Sequence, residues 1–239
     1  MKGKQGSCRM KKSGLSQEML KLIACATMLI DHVGAALFPQ YISLRVIGRI
    51  AFPIYCFLLA EGVFYTKSPK QYGLRLGVGA VLSELPFDLA LFGGITLQCQ
   101  SVMITLLLGF LMGICMKRVS KPHWQVLIII PFALAAEWLK TDYGGWGIAL
   151  IALFILSRDL PQRLLVQTVG MAAICYLMDS YIMSFGALRV PIEMFALAAM
   201  VPIALYSGEK LSCSKTLQWA FYLFYPVHLT VLFFLRVFG

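Results

Sequence analysis

The chain has 239 residues, of which 59% are hydrophobic and 13% charged, and its mean hydropathy is +0.79. Soluble globular domains are closer to half apolar and a quarter charged. A chain of this length has too little interior to hide so much apolar surface from water. The composition therefore excludes a disordered chain, a fibrous repeat and an ordinary cytosolic enzyme, and it indicates an integral membrane protein.

Nine apolar segments approach or reach the length of about 20 residues that a membrane-spanning helix needs. In chain order they cover residues 17–38, 44–65, 73–92, 101–117, 123–139, 144–157, 164–180, 191–206 and 219–236. They predict an all-α, polytopic membrane helix bundle of about nine transmembrane helices, with a range of eight to ten because the sixth segment is short. The chain then divides into a basic cytoplasmic tail, 1–15, and a single transmembrane domain, 16–239.

The formal net charge of +10 is explained by membrane topology. Sixteen of the 21 Lys and Arg residues lie at alternate ends of the predicted spans, beginning with the N-terminal end, and five lie at the opposite ends. By the positive-inside rule the N-terminus is cytoplasmic. We therefore expect no nucleic-acid partner. The seven cysteines show no paired metal-ligand spacing, and we expect no metal site.

Ionisable side chains inside the predicted spans are costly to bury in lipid, so each one is a candidate functional residue. They are Asp31, His32, Arg45, Arg49, Glu61, Glu84, Asp88, Glu193 and His228. At a rise of about 1.5 Å per residue, all of them except Glu61 lie in the outer half of the membrane. We therefore expect a polar, partly wetted chamber near the non-cytoplasmic surface.

Helical spacing predicts partners among these charges. Arg45 and Arg49 are four residues apart and share one helical face, as do Glu84 and Asp88 on the next span. We expect the two arginines to pair with the two carboxylates. Such pairs belong to a catalytic or transport site, or they only fix the packing of the helices.

The histidines also allow two interpretations. His32 and His228 take part in catalysis, or each makes only an interhelical hydrogen bond. Asp31 and His32 are adjacent, about 100° apart around the helix, and cannot face each other as a dyad. We interpret Asp142 and Asp179, at the outer ends of spans, as solvated loop charges.

Several motifs in this sequence resemble those of the TraX family. They lie within residues 20–34, 44–62, 72–88, 105–109 and 224–229, and they include TMLIDHVG, LRVIGRIAFP, SELPFD and FYPVHL. The resemblance extends along nearly the whole chain, although residues 120–215 match by hydropathy more than by motif. The charged and histidine residues at the motif positions are Asp31, His32, Arg45, Arg49, Glu61, Glu84, Asp88 and His228.

The resemblance implies acetylation of the N-terminal amine of a pilin at the bacterial cytoplasmic (inner) membrane. TraX proteins are also similar to a broader group of multi-pass acyltransferases, which transfer acetyl from cytoplasmic acetyl-CoA to an acceptor across the membrane. By this resemblance the domain at 16–239 is acyltransferase-like and acetyl-CoA is its acyl donor, with no metal. The acceptor is a peptide amine, pilin-like or otherwise, or a group on a glycan or lipid. Membrane lipid surrounds the protein.

An acetyl transfer of this kind assigns roles to the polar residues. The candidate catalytic residues are His32, Asp31, Glu84, Asp88, Arg49, Arg45 and His228. His32 is the general base or a transient acetyl carrier, because its ordinary pKa lets it exchange protons near neutral pH, and His228 competes for that role. Arg49, either alone or together with Arg45, stabilises the oxyanion. The carboxylates orient His32 or hold a cationic amine.

The basic inner connections are the surface available to the phosphates of acetyl-CoA. The candidate donor-binding residues are Lys67, Lys70, Arg75, Lys117, Arg118 and the motif residue Glu61. Two other functions account for the same intramembrane charges. One is a proton-coupled transporter of a small solute, and the other is a non-catalytic membrane assembly factor.

Overall fold

A computed structural model describes residues 14–178, 182–185, 188–209 and 215–239. The described residues form an almost entirely helical bundle. Its α-helices are α1 (Gln17–Ala36), α2 (Ile42–Gly48), α3 (Ala51–Tyr65), α4 (Pro69–Phe92), α5 (Val102–Lys117), α6 (Pro122–Trp138), α7 (Gly144–Leu156), α8 (Arg163–Leu177), α9 (Met200–Ala204) and α10 (Lys215–Phe238). A 3₁₀ helix, Ile192–Ala199, leads directly into α9.

Each of the nine predicted apolar segments coincides with a helix or with two consecutive helices. Three helical segments are long and apolar enough to cross a membrane, namely Gln17–Ala36, Ile42–Tyr65 and Trp219–Phe238. Four shorter apolar helices are Val102–Lys117, Gly144–Leu156, Arg163–Leu177 and Ile192–Ala204. The structure confirms a multi-pass helical membrane protein. That nine helices cross the membrane stays a prediction, because these four are shorter than about 20 residues.

The only β-strands in the described ranges form a hairpin that the hydropathy pattern did not predict. Strand β1 (Ile182–Phe185) pairs antiparallel with β2 (Leu188–Pro191), with Ile182 opposite Pro191 and Met183 opposite Val190. It connects α8 to the 3₁₀ helix. Pro191 ends β2 and has no N–H to extend the ladder, so the chain turns there into the 3₁₀ helix that carries Glu193.

Glycines let the helices in the core approach closely. A Cβ at Gly109 of α5 would overlap the Ile151 side chain of α7, and one at Gly113 would lie 2.8 Å from Val63 of α3. In a bundle where lipid tails are as apolar as the core, such close van der Waals packing is a main source of helix association. These two glycines thus allow α3, α5 and α7 to pack in close contact.

The bundle has two chemically different ends. At the first, which we call the basic end, lie the start of α1, the α3–α4 and α7–α8 connections and the described residues that follow α9, where Leu15 pairs with Tyr206. At the second, the far end, Gln100 pairs with Thr141, and Arg236 donates to the Ala90 carbonyl at 2.9 Å. The described parts of the predicted cytoplasmic connections lie at the basic end.

Three rings form an aromatic cluster inside the bundle, next to the basic end. The ring of Phe57, on α3, meets the rings of Phe154 and Tyr206 edge to face, with centroids 5.8 Å and 5.4 Å away. Edge-to-face contacts of this kind stabilise a core beyond the area they bury. The cluster thus joins α3, α7 and the segment that follows α9.

Candidate active site

An ion cluster joins three elements at the far end. Arg49 donates from Nη2 to Oδ1 of Asp31 at 2.7 Å and from Nη1 to Oε1 of Glu193 at 2.8 Å. Arg45 forms a second ion pair with Asp31 through Oδ2. Arg49, Asp31 and Glu193 are each less than 10% exposed. The cluster thus fixes α1, the α2–α3 junction and the 3₁₀ helix to one another.

Local structure explains why Asp31 faces the arginines. The two arginines share one face, and Arg49 lies at the turn where α2 ends, with its N–H on the Arg45 carbonyl at 3.2 Å. Gly48 packs directly on the Asp31 side chain, where a Cβ would overlap the carboxylate. Because Gly48 has no side chain, α1 and α2 approach closely enough for both guanidinium groups to reach one carboxylate.

The predicted pairing of these arginines with Glu84 and Asp88 is wrong. Oε1 of Glu84 accepts hydrogen bonds from the Ser101 N–H at 3.0 Å and the Ser101 hydroxyl at 2.6 Å. Oδ2 of Asp88 accepts from the Thr96 N–H at 2.9 Å. Ser101 begins α5, whose first N–H groups have no partner within the helix and favour a nearby negative charge. Both carboxylates therefore hold the α4–α5 connection.

His32 and His228 face each other in the structure. The sequence did not predict that they would pair. Nδ1 of His32 lies 2.7 Å from Nε2 of His228, and Nδ1 of His228 lies 2.7 Å from the Phe224 carbonyl oxygen. Both residues are buried, and their rings are within 5° of coplanar.

This hydrogen-bond chain selects the tautomers of the two neutral imidazoles. A carbonyl only accepts, so Nδ1 of His228 carries the proton and its Nε2 has a lone pair. Nδ1 of His32 then donates to that lone pair. Nε2 of His32 is left with its own lone pair, which is the state that a general base or a nucleophile requires.

Tyr225 closes one side of the histidine pair. Its ring meets the rings of His32 and His228 edge to face, with centroids 5.8 Å and 5.5 Å away. Its hydroxyl is buried and has no hydrogen-bond partner within the described ranges. A buried hydroxyl without a partner is rare and costly, and it marks a place where a substrate or water group can bind. Tyr225 is thus a candidate residue that the sequence reasoning missed, although it lies within the FYPVHL motif.

The site holds little free volume around the ion cluster. A cavity of about 10 Å³ adjoins Arg49, Tyr143 and Glu193, which is room for about one water molecule. The chamber expected in the outer half is therefore tightly packed at this point. Among the described residues no group of three or more His, Cys, Asp and Glu side chains is arranged to hold a metal ion.

Asp142 belongs to the electrostatic surroundings of this cluster, so its interpretation as a solvated loop charge is wrong. It lies in the α6–α7 connection and is only partly exposed. Burial raises the pKa of Asp142 from 3.8 to about 6, with Arg49 opposing the shift and Asp31 adding to it. The loop places Asp142 beside the cluster because its N–H donates to the Gln100 carbonyl at 2.8 Å. Asp179 lies outside the described residues.

Asp142→Asn is expected to stabilise the protein near neutral pH. A carboxyl whose pKa is raised on folding costs stability as the pH rises from about 4 to about 6, and the full cost persists above that range. The gain at pH 7 should be about 1–3 kcal/mol and should vanish below about pH 4. Melting temperatures of both proteins in detergent from pH 4 to 7.5 measure it. A gain that does not change with pH would contradict this account.

Gly48→Ala is expected to destabilise the protein, although alanine favours a helix over glycine by about 1 kcal/mol. The new Cβ would overlap the Asp31 carboxylate, and overpacking costs about 1–3 kcal/mol. The melting temperature in detergent should fall. Gly94→Ala is the matched control, because a Cβ at Gly94 meets no atom within 4 Å. An unchanged melting temperature for Gly48→Ala would show that the close approach of α1 and α2 is dispensable.

Comparison with known proteins decides the family. The TraX protein family matches residues 16–236, which is nearly all of the chain. The chain belongs to the TraX family. It is 31% identical over 237 residues to a protein of Dichelobacter nodosus described as "Probable fimbrial assembly protein FimC, serogroup H1", covering 89% of this chain and 92% of the relative.

A second relative is more distant, and solved structures give no further guide. An uncharacterized protein of Rickettsia prowazekii (strain Madrid E), RP591, is 29% identical over 156 residues, covering 59% of this chain and 56% of the relative. No solved structure matches the chain. The family resemblance seen in the motifs is therefore confirmed over the length that carries the site.

In this TraX-family chain, the charged and histidine motif residues form three sets at the far end and one at the basic end. The far-end sets are the Asp31 ion cluster, the His32–His228 pair and the two carboxylates on the α4–α5 connection. Glu61 lies at the basic end, with Oε1 at 3.4 Å from Nε of Arg158.

The other predicted donor-binding residues are distributed around the basic end of the TraX-family fold. Nζ of Lys117 donates to the Val63 and Phe64 carbonyls at 3.3 Å and 3.2 Å, so it caps the end of α3. Arg75 lies against the rings of Tyr72 and Tyr222. Lys67, Lys70, Lys117 and Arg118 are all exposed, and Arg75 is partly exposed. A role for these residues in donor binding stays a prediction.

Proposed function

We propose that this protein is an acetyltransferase of the bacterial cytoplasmic membrane that moves acetyl from cytoplasmic acetyl-CoA to an acceptor at the other side. The basic end faces the cytoplasm, as the positive-inside rule requires. The observation that carries the proposal is the buried chain of contacts from His32 through His228 to the Phe224 carbonyl, from which a lone pair on Nε2 of His32 follows. Membership of the TraX family supports it.

The proposed reaction is one acyl transfer. An acceptor amine or hydroxyl gives a proton to Nε2 of His32, and the lone pair of the acceptor nitrogen or oxygen forms a bond to the thioester carbonyl carbon. The carbon–sulfur bond then breaks, and the thiolate of CoA leaves and takes up the proton from His32. The acetylated acceptor and CoA are the products, and His32 returns to its starting state.

Arg45 is the better of the two arginines for stabilising the oxyanion. Arg49 uses both terminal nitrogens on Asp31 and Glu193, whereas Arg45 makes one ion pair and about a third of its side chain is exposed. Arg45 therefore has donors to offer to the developing charge. Arg49 holds Asp31 in place, so it is a positioning residue.

The negative charges near the α4–α5 connection favour an amine as the acceptor. The pKa of Cys99, in that connection, is raised to about 12 by burial and by Asp142, Glu84 and Asp88. A site with this negative potential attracts a protonated amine more than a neutral hydroxyl. The bound amine releases that extra proton to solvent before it reacts, so the neutral amine is the group that enters the acyl-transfer step. The fimbrial assembly name of the Dichelobacter relative supports a pilin-like peptide. Acceptor groups on glycans or lipids are the alternative.

The test is transfer by the purified protein. Proteoliposomes receive radiolabelled acetyl-CoA and a peptide with a free N-terminal amine, with the same peptide in N-blocked form as the matched control. We expect label on the free peptide alone. Label on neither peptide, nor on a glycan or lipid acceptor, would refute the enzyme and favour the assembly factor, which the name of the relative also fits. Solute flux driven by a pH gradient, without transfer, would favour the transporter.

A further inference from the structure

A cavity of about 620 Å³ opens at the basic end. It lies between the end of α3, the α7–α8 connection and the segment that follows α9. Its polar and aromatic lining side chains are Glu61, Tyr65, Arg158, Asp159, Arg163, Tyr206 and Ser207. The volume is within the range of pockets that hold a small-molecule ligand or cofactor.

Aromatic rings hold one arginine in this cavity in a fixed position. Cζ of Arg158 lies 4.3 Å from the ring centroid of Phe64 and 4.9 Å from that of Tyr65. Its ion pairs with Glu61 at 3.4 Å and Asp159 at 3.8 Å use Nε and Nη1, so Nη2 has no acceptor within the described part of the chain. A guanidinium that is positioned but not saturated is well suited to bind phosphate.

Two further groups complete the lining. Arg163 is the first residue of α8 and is exposed, so its charge adds to the partial positive charge of the helix start. The Tyr65 side chain is 69% exposed, and its ring is available for stacking. Arginines beside an exposed aromatic ring are the combination that recognises a nucleotide, with phosphates on the arginines and the base on the ring.

The segment after α9 is held at the cavity by the start of α1. The Leu15 N–H donates to the Leu205 carbonyl at 2.8 Å, and the Ser207 N–H donates to the Leu15 carbonyl at 3.0 Å. Gly14 permits this contact, because a Cβ there would lie 2.6 Å from the Leu205 oxygen. The chain that leads into Leu15 carries five basic residues, Lys2, Lys4, Arg9, Lys11 and Lys12.

We propose that this cavity binds the nucleotide end of the acyl-CoA donor. The inference rests on the proposed function, since it names the place where that donor is held. Ser16, at the start of α1, lies beside the cavity. His32 lies about 24 Å farther along the same helix. A donor with phosphates at one end and a thioester at the end of a long arm matches two sites separated in this way. The exposed Lys67, Lys70 and Arg118 lie outside the cavity lining, unlike Arg158 and Arg163.

Binding of CoA, without any acyl group, tests the inference apart from catalysis. Calorimetry with the purified full chain in detergent uses CoA, 3′,5′-ADP and pantetheine as separate probes. We expect CoA and 3′,5′-ADP to bind and pantetheine to bind at least ten-fold more weakly. Arg163→Glu and Tyr65→Ala, both at exposed positions, should each raise the Kd of CoA about ten-fold or more. Arg163→Glu removes a charge-assisted bond to phosphate, and Tyr65→Ala removes the ring on which the base stacks.

The controls separate this inference from the proposed function. Arg158→Gln should weaken CoA binding as Arg163→Glu does, and Arg189→Ala, at an exposed far-end position, should leave it unchanged. Acetyl transfer with normal CoA affinity in all three cavity variants would overturn the cavity assignment and leave the enzyme standing. Cavity-dependent CoA binding without transfer to any acceptor would support the cavity and refute the enzyme. No binding of CoA would overturn the assignment.

Discussion

His32→Ala is expected to lower acetyl transfer by about 10²–10⁴-fold, which is the usual contribution of a general base. The variant loses the imidazole whose Nε2 lone pair is positioned by the hydrogen bond to His228. Transfer from radiolabelled acetyl-CoA is measured in proteoliposomes. Elution as a single species from a sizing column in detergent, at the elution volume of the unmodified protein, shows that the variant is folded.

The other two histidines serve as controls for this prediction. His228→Ala removes the acceptor for Nδ1 of His32 and should lower transfer less, because the base itself remains. His123→Ala, at an exposed basic-end position, should have no effect. Full activity in His32→Ala together with loss in His228→Ala would assign the base to His228. Full activity in both variants would remove the histidine pair from the mechanism.

Arg49→Met is expected to lower the free energy of unfolding by about 3–5 kcal/mol, the usual cost of breaking a buried ion pair from one side. It would leave the carboxylates of Asp31 and Glu193 without their shared partner in a site where each is less than 10% exposed. Uncompensated charge within a membrane helix is more costly than a lost hydrogen bond. The melting temperature in detergent measures the loss.

Arg45→Met is the matched control for Arg49→Met. Arg45 is more exposed and pairs only with Asp31, so we expect a loss of about 1 kcal/mol or less. Asp31 keeps its ion pair with Arg45 in Arg49→Met, whereas Glu193 has no other ion pair within the described residues. Adding Glu193→Gln to Arg49→Met should therefore recover part of the stability, because it removes the charge left without a partner. Equal losses in the two arginine variants would contradict the central position of Arg49 in the cluster.

Hydropathy predicted the helices closely because a membrane span must satisfy its own backbone and be apolar along its whole length. The first predicted span, 17–38, corresponds to Gln17–Ala36, and the sixth, 144–157, to Gly144–Leu156. The hairpin at Ile182–Pro191 was not predicted, because strands of four residues give too little periodicity to recognise.

The polar residues of the site could be predicted, but their partners could not. Helical spacing showed correctly that Arg45 and Arg49 share a face, yet it carries no information on which neighbouring element packs against that face. Asp31 pairs with the two arginines because Gly48 lets α1 pack closely against α2. Glu193 pairs with Arg49 because the hairpin before it, which the sequence did not predict, places the 3₁₀ helix there. Glu84 instead accepts a hydrogen bond from Ser101, the residue before α5.

The aromatic cluster of Phe57, Phe154 and Tyr206 adjoins the polar cavity at the basic end, because Tyr206 belongs to both. Phe57 and Phe154 are buried, so apolar side chains occupy the interior beside that cavity. If the cavity holds the nucleotide end of a donor, as proposed, the arm of the donor has to pass these rings or go around them to reach His32. Tyr206 therefore marks the place where the polar cavity meets the apolar interior of the bundle.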